Sequence, residues 1–444
     1  MEKLCLELLN RSITAGWLIL AAVLVRLLFR RAPKWITGCL WLLVAVRLLI
    51  PFSVESVYSL IPTAETVPYE ILYSETPAID SGVTVIDKAV NTRLADSSAP
   101  EPGASVNPLQ IVTAVSSCVW IAGLVCMLTA AAVSYGMLKR RVRTAVRLRE
   151  NIRQSEYIET PFVLGIFRPA VYLPYDVDEG EAEYIIAHEK CHIRRGDHLI
   201  KPFAFVLLAV YWFQPLMWLA YILLCRDIEL ACDERVIRNM SADERKTYST
   251  VLLEFSTKQK LITACPVAFG EVGVKTRIRS VLNYKKPTFW VIALALCACA
   301  VCGVCLLTDP EPITGLPSAE EISHITLSNY PAIREITAND TAVSIAGLLE
   351  GLGTATKTSA KHWNDRPYED EVDNGTYLEL TFHYADETKS PSFQTYYLYS
   401  QKGKTYLMRP YDAVYRIERE FYTELSSFYF SEQEEEVRNL YHCP

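Results

Sequence analysis

Between residues 187 and 198 the chain reads AHEKCHIRRGDH. On a helix His188 and His192 stand four residues apart on one face, the spacing a zinc ion needs from two imidazoles. Glu189, beside the first histidine, is placed to act as general base toward the water of a hydrolysis. A catalytic zinc site takes a third protein ligand and keeps one position open. RDIELACDERVI offers Glu229 for that role, with Asp233 four residues on and on the same face. Asp233 can accept a hydrogen bond from a ligand histidine's outer nitrogen and fix its tautomer. Asp197, following Gly196, could orient a ligand likewise or cap the next helix at 199. Glu234 is offset from Glu229's face, His198 is surplus to a complete set, and Cys191 reads as packing. An exposed helix with scattered His, Glu and Lys would show the same letters, but the apolar approach EYIIA argues against it.

TPFVLGIFRPAVYLP at 160–174 holds two short β-type runs bounded by prolines and Gly165. Proline confines a strand to a sheet edge, and an edge can receive an extended peptide by strand addition. Phe162, Val163, Leu164 and Gly165 are therefore candidates for a substrate strand; a plain structural hairpin fits the same letters.

These residues have to be positioned by an apolar scaffold. Half of the 444 residues are hydrophobic, mean hydropathy is +0.13, and the apolar residues come in blocks. A bilayer core needs about 20 apolar residues as helix. Segments 12–29, 35–52, 108–136 and 287–307 qualify. Most of the thirteen cysteines fall within apolar runs and read as small packing residues. The basic clusters flank apolar segments and lack interleaved aromatics, which excludes a direct nucleic-acid surface. No cleavable signal peptide is recognisable at the N-terminus.

Short basic loops set the orientation. Arg30, Arg31 and Lys34, the run KRRVRTAVRLRENIR, and Lys275, Arg277, Arg279, Lys285 and Lys286 all belong inside. The 53–107 loop, rich in Pro, Ser, Thr and acids (Glu55, Glu65, Glu70, Glu75, Asp80, Glu101), belongs outside. A fifth stretch, FAFVLLAVYWFQPLMWLAYILL at 203–224, separates the histidines from Glu229. A single further crossing would put the basic run at 275–286 outside. The segment must enter and return, bent near Gln214-Pro215, or lie along the surface, and the return carries Glu229 back to His188 and His192.

The expected fold is a mainly α membrane protein with four transmembrane helices and a re-entrant hairpin. Residues 1–136 hold three helices and the extracellular loop 53–107. Residues 137–286 form a cytoplasmic domain including the hairpin 203–224, and 287–307 the last helix. Residues 310–444 form a small extracellular α+β domain. There TYLELTFHYA and TYYLYSQKGKTYLM suggest two strands, and SIAGLLEGL and YDAVYRIEREFYTELSSFY suggest helices.

In order and spacing these elements resemble the BlaR/MecR family of signal-transducing membrane zinc metallopeptidases, related to the HtpX/Ste24 group. The resemblance covers about residues 1–310 and rests on TPFVLGIFRPAVYLP, HEKCHIRRGDH, the apolar hairpin, ELACDE and VKTRIRSVLNYKK. It implies a gluzincin-like domain holding Zn2+ through His188, His192 and Glu229, with Glu189 as base and Asp233 behind the ligands. It also implies an outer signal relayed inward, self-cleavage near the last span, and inactivation of a cytoplasmic partner such as a winged-helix repressor. Antibiotic-sensing members carry a penicillin-binding domain with an acylated Ser-x-x-Lys. Here no serine after 310 has lysine three residues on, so the extracellular ligand is a different, unknown one. Two other readings fit the letters less well, a quality-control protease of the HtpX/Ste24 kind and a receptor or scaffold without hydrolysis. The sequence leaves room for a homodimer.

Overall fold

The computed structural model describes residues 1–50, 54–61, 66–67, 69–72, 79, 81, 84–98, 108–257, 271–329, 332–337, 344–358, 360, 363, 365–385, 392–419, 421–423 and 425–429. Glu65, Glu75, Asp80 and Glu101 lie outside these. The helices are α1 (Glu2–Leu28), α2 (Lys34–Leu49), α3 (Thr84–Ser98), α4 (Pro108–Arg141), α5 (Glu179–Arg195), α6 (Asp197–Val210), α7 (Pro215–Ile237), α8 (Ala242–Thr257), α9 (Glu271–Leu282), α10 (Phe289–Leu307) and α11 (Ile345–Gly353). The chain divides into two compact units, the first comprising Met1–Ser53 and Ile61–Leu307.

In the first unit, α1, Leu109–Arg141 of α4, and α10 are long and apolar enough to cross a membrane. Only 6% of the apolar window of α4 is buried, so its side chains stay available to lipid. α2, expected as a crossing over 35–52, is a 16-residue helix, shorter than the usual span. α1 begins at Glu2, ten residues before its expected start at 12, because the helix outruns its apolar window. One apolar core joins α1, α2, α6, α7 and α10 through Leu18, Ile19, Leu40, Leu208, Tyr221 and Cys299.

The stretch 203–224 does not run straight. α6 ends at Val210, Tyr211–Gln214 turn, and α7 starts on Pro215, a residue suited to a first helical position because it has no N–H to leave unpaired. The two helices pack on each other as a hairpin. Its tip is held by side chains that satisfy carbonyls freed at helix ends. The Trp120 indole donates to Val210 O at 2.8 Å, Tyr211 to Leu48 O at 3.0 Å, and Trp218 to Trp212 O at 2.8 Å.

After α4 the strands β2 (Val146–Arg149), β3 (Ile152–Gln154), β4 (Phe162–Leu164) and β5 (Ala170–Leu173) form one sheet in the order β2-β3-β5-β4. β3 runs parallel to β5 and the other two pairs are antiparallel. Val171 and Leu173 pack on Ile185 of α5 and on Val251 and Phe255 of α8.

The second unit takes Val54–Leu60 together with Thr308–Pro444. β1 (Val54–Glu55) pairs in parallel with β6 (Thr308–Asp309), so part of the 53–107 loop belongs to this unit. β7 (Ile322–Asn329), β8 (Ala332–Thr337), β9 (Thr356–Thr358), β10 (Tyr377–Tyr384), β11 (Phe393–Gln401), β12 (Lys404–Arg409) and β13 (Ala413–Arg416) make a seven-stranded sheet in the order β8-β7-β10-β11-β12-β13-β9. Alternation along the strands sends Leu378, Leu380 and Phe382 to one face with Leu348 and Leu352 of α11. Tyr399, Met408 and Val414 go to the other face with Trp363.

Three expectations need correction here. TYYLYSQKGKTYLM is not one strand but the hairpin β11–β12. Lys402 (φ 54) and Gly403 (φ 73) form its two-residue turn, where both central residues need positive φ. The first part of YDAVYRIEREFYTELSSFY is β13, since Val414 and Tyr415 alternate between the two cores; helix is confined to described positions between 419 and 429. The 53–107 segment, read as a loop from its composition, contains α3.

Candidate metal centre

α5 carries His188, Glu189 and His192, all buried. Gly196 ends α5 in the left-handed region (φ 76), donating its N–H to His192 O and Ile193 O. α6 starts on the next residue, and this abrupt reversal returns Asp197 to His192, with Asp197 Oδ2 at 2.8 Å from His192 Nδ1. The aspartate therefore orients an imidazole; no side-chain cap of the next helix is formed.

α7 brings Glu229 back. His188 Nε2 and His192 Nε2 are 3.1 Å apart, and the Glu229 carboxylate oxygens stand 3.5 and 3.6 Å from them. Ligand atoms of a tetrahedral zinc site with bonds near 2.0–2.1 Å lie about 3.3 Å apart. Both outer nitrogens face acceptors, His192 Nδ1 toward Asp197 and His188 Nδ1 toward Asp233 Oδ1 at 3.3 Å and the Tyr248 hydroxyl at 2.9 Å. With those N–H groups engaged, each ring deprotonated at Nε2 turns a lone pair toward the other and toward the carboxylate, His188 Nε2 lying also 3.2 Å from Arg277 Nη2. Four electron-rich atoms converge where a divalent cation fits, and His188, His192 and Glu229 are a group able to hold one.

The surrounding charges were not read from the sequence. Lys201 Nζ donates to Glu229 Oε1 at 2.8 Å, and Arg277 Nη1 lies 3.1 Å from Glu229 Oε2. Arg277 also holds Asp233 through Nε at 2.7 Å and Nη2 at 2.8 Å. Burial pushes the Glu229 carboxyl up, but Lys201, His192 and Arg277 hold it well below the ordinary value. Burial also disfavours charge on His192; Glu229 and the bond to Asp197 outweigh it and raise its pKa to about 9. Burial and Asp233 push the Tyr248 phenol well upward, so it keeps its proton and donates to Asp233 at 2.8 Å. Arg277 was given no role in the sequence beyond a loop charge within VKTRIRSVLNYKK, and Tyr248 carried no motif. The signal available was the position of both on helices beside the site.

Cys232 lies behind His192, its sulfur 3.2 Å from Nδ1 and 3.3 Å from Asp197 Oδ2. β4 is one of the sheet's two edge strands and lies next to α5. Gly165 follows it at φ 112, and a Cβ there would meet Arg168 O at 2.6 Å, so the edge ends in a turn only glycine can make.

Two imidazoles, a carboxylate and an adjacent glutamate, carried on a helical membrane-type scaffold, define a metallopeptidase-like protein. The chain belongs to the BlaR1 peptidase M56 family, whose match covers residues 6–281. It is 29% identical over 194 residues to the regulatory protein BlaR1 of Bacillus licheniformis, covering 38% of this chain and 32% of that one. It is 28% identical over 109 residues to the methicillin resistance mecR1 protein of Staphylococcus aureus, covering 24% of this chain and 19% of that one. The matched region thus spans about a third or less of these relatives. Residues 311–416 match a domain of unknown function (DUF5300). The chain is thus a member of a metallopeptidase family, and its described residues include three helices long and apolar enough to cross a membrane.

Proposed function

We propose that the chain is a membrane zinc endopeptidase that relays an outside signal by cutting a cytoplasmic protein, such as a winged-helix repressor, with self-cleavage as a preceding step. The observation that carries this reading is the convergence of His188, His192 and Glu229 beside Glu189. When bound, Zn2+ supplies Lewis-acid polarisation of the scissile carbonyl. Glu189 takes the proton of the attacking water and returns it to the leaving amine. Asp197 and Asp233 hold the two imidazoles in the tautomer that leaves Nε2 free, and Tyr248 seconds Asp233. An extended substrate adds alongside Phe162, Val163, Leu164 and Gly165 as a further strand on β4.

In the same reading the N-terminus and the second unit are outside, the centre is at the cytoplasmic membrane face, and an unidentified extracellular ligand acts on residues 310–444. The test compares zinc content and self-cleavage of wild type and Glu189→Ala in membranes. Zinc in both with fragments only from wild type is expected; equal processing would sink the reading.

A further inference from the structure

α7 has two acidic faces. Glu229 and Asp233, four apart, face the centre. Asp227 and Glu234, seven apart, share another face, and Asp227 sits about 200° around the helix from Glu229. Arg26 of α1 grips Asp227 with two nitrogens, Nε at 3.0 and 2.9 Å from its oxygens and Nη2 at 2.8 Å from Oδ1. The Trp41 indole of α2 donates to Asp227 Oδ2 at 3.0 Å. Glu234 accepts the backbone N–H of Lys34 at 2.9 Å, capping the first turn of α2 where a negative charge suits the helix dipole.

Asp227 is 3% exposed, and a buried ion pair of this kind is weak evidence for stability, because desolvation offsets most of the attraction. What it does provide is register, since a two-pronged guanidinium–carboxylate contact with an indole donor fits one placement only. We propose that Asp227 and Glu234 are positioning residues that lock α7 to the inner ends of α1 and α2. The placement of Glu229 then depends on how those two helices stand. A shift of α1 or α2 reaches Glu229 through two residues of rigid helix, which gives an outer signal a short route to the centre. The inference rests on the metal reading above.

The test uses the full chain in detergent, with zinc affinity by chelator competition and thermal unfolding as separate readouts. Asp227→Asn and Arg26→Gln should each weaken zinc binding by up to about tenfold, the low end of the range for partners that touch a metal ligand directly, because Asp227 acts on Glu229 through two residues of helix. The double variant should be no worse than the worse single one, since both remove one contact. Trp41→Phe and Glu234→Gln keep the buried ion pair and should weaken zinc binding less, covering the case in which Asp227→Asn does not fold. Asp243→Asn, in an exposed pair with Lys246, is the control that should change nothing. Wild-type zinc affinity in the Asp227, Arg26 and Glu234 variants, with only unfolding temperature altered, overturns the inference and leaves the peptidase reading standing. Failure of the wild-type chain itself to bind zinc overturns both.

Discussion

Asp197 Oδ2 stands 2.8 Å from His192 Nδ1 because a single left-handed glycine, Gly196, separates the two helices that carry them. The contact directs the other imidazole nitrogen at Glu229. Asp197→Asn keeps the shape and removes the charge, and it is expected to weaken zinc binding about 10–100-fold with the fold retained. Chelator competition against wild type, with circular dichroism as the fold control, checks it.

His192 adds a pH dependence. In the metal-free chain its pKa is raised to about 9, so its proton must leave before zinc binds. Zinc affinity should rise about tenfold per pH unit through the neutral range and flatten above about pH 9. The sign for stability is opposite. The metal-free fold gains from the charged imidazole fully below the unfolded pKa of about 6.5, and that gain is lost as pH climbs through about 9. Zinc titrations and metal-free melts between pH 6 and 9.5 test both slopes; parallel slopes would refute the assignment.

Glu189→Gln should retain zinc, since the residue is not among the converging ligand atoms, and lose at least 10²–10⁴-fold in cleavage rate, the range of a general base. Metal analysis together with fragment appearance on gels separates the two effects.

Leu380 is fully buried in the core between the seven-stranded sheet and α11. Leu380→Ala should destabilise the second unit by about 2–5 kcal/mol. Because the candidate ligands His188, His192 and Glu229 lie in the other unit, zinc content should stay at the wild-type level, which calorimetry and metal analysis of one preparation can decide.

Single cysteines at Leu60, Arg147 and Lys402, all exposed, test the proposed orientation in a chain otherwise free of cysteine. A membrane-impermeant thiol reagent added to intact cells should modify positions 60 and 402 and spare 147. Modification at 147 alone would invert the topology.

The sequence was most legible where chemistry depends on local spacing. His188 and His192 need only one helical turn, and the bend at Gln214-Pro215 follows from a proline within an apolar run combined with loop charge. Glu229 was reachable only through that bend. Lys201, Tyr248 and Arg277 were not legible, because each enters the centre by tertiary packing from a different helix. Arg277 is instructive: the same guanidinium reads as an inside-loop charge in one dimension and grips Asp233 in three. In the second unit, the short run Ala413–Arg416 has no helical or strand period of its own. Its strand state comes from pairing with β12 and β9.

The pairing of β1 with β6 makes the second unit a split assembly. Val54–Glu55 follows α2 early in the chain, whereas Thr308–Asp309 follows α10. The contact is reinforced by Ser56 N donating to Asp309 O at 2.9 Å and Ser59 Oγ to Thr308 O at 2.7 Å. α10 is independently packed against α1 and α2. Any nick in the linker ahead of α10 would therefore yield two polypeptides that stay together as a complemented pair, held by β1 on β6 and by α10 on α1 and α2.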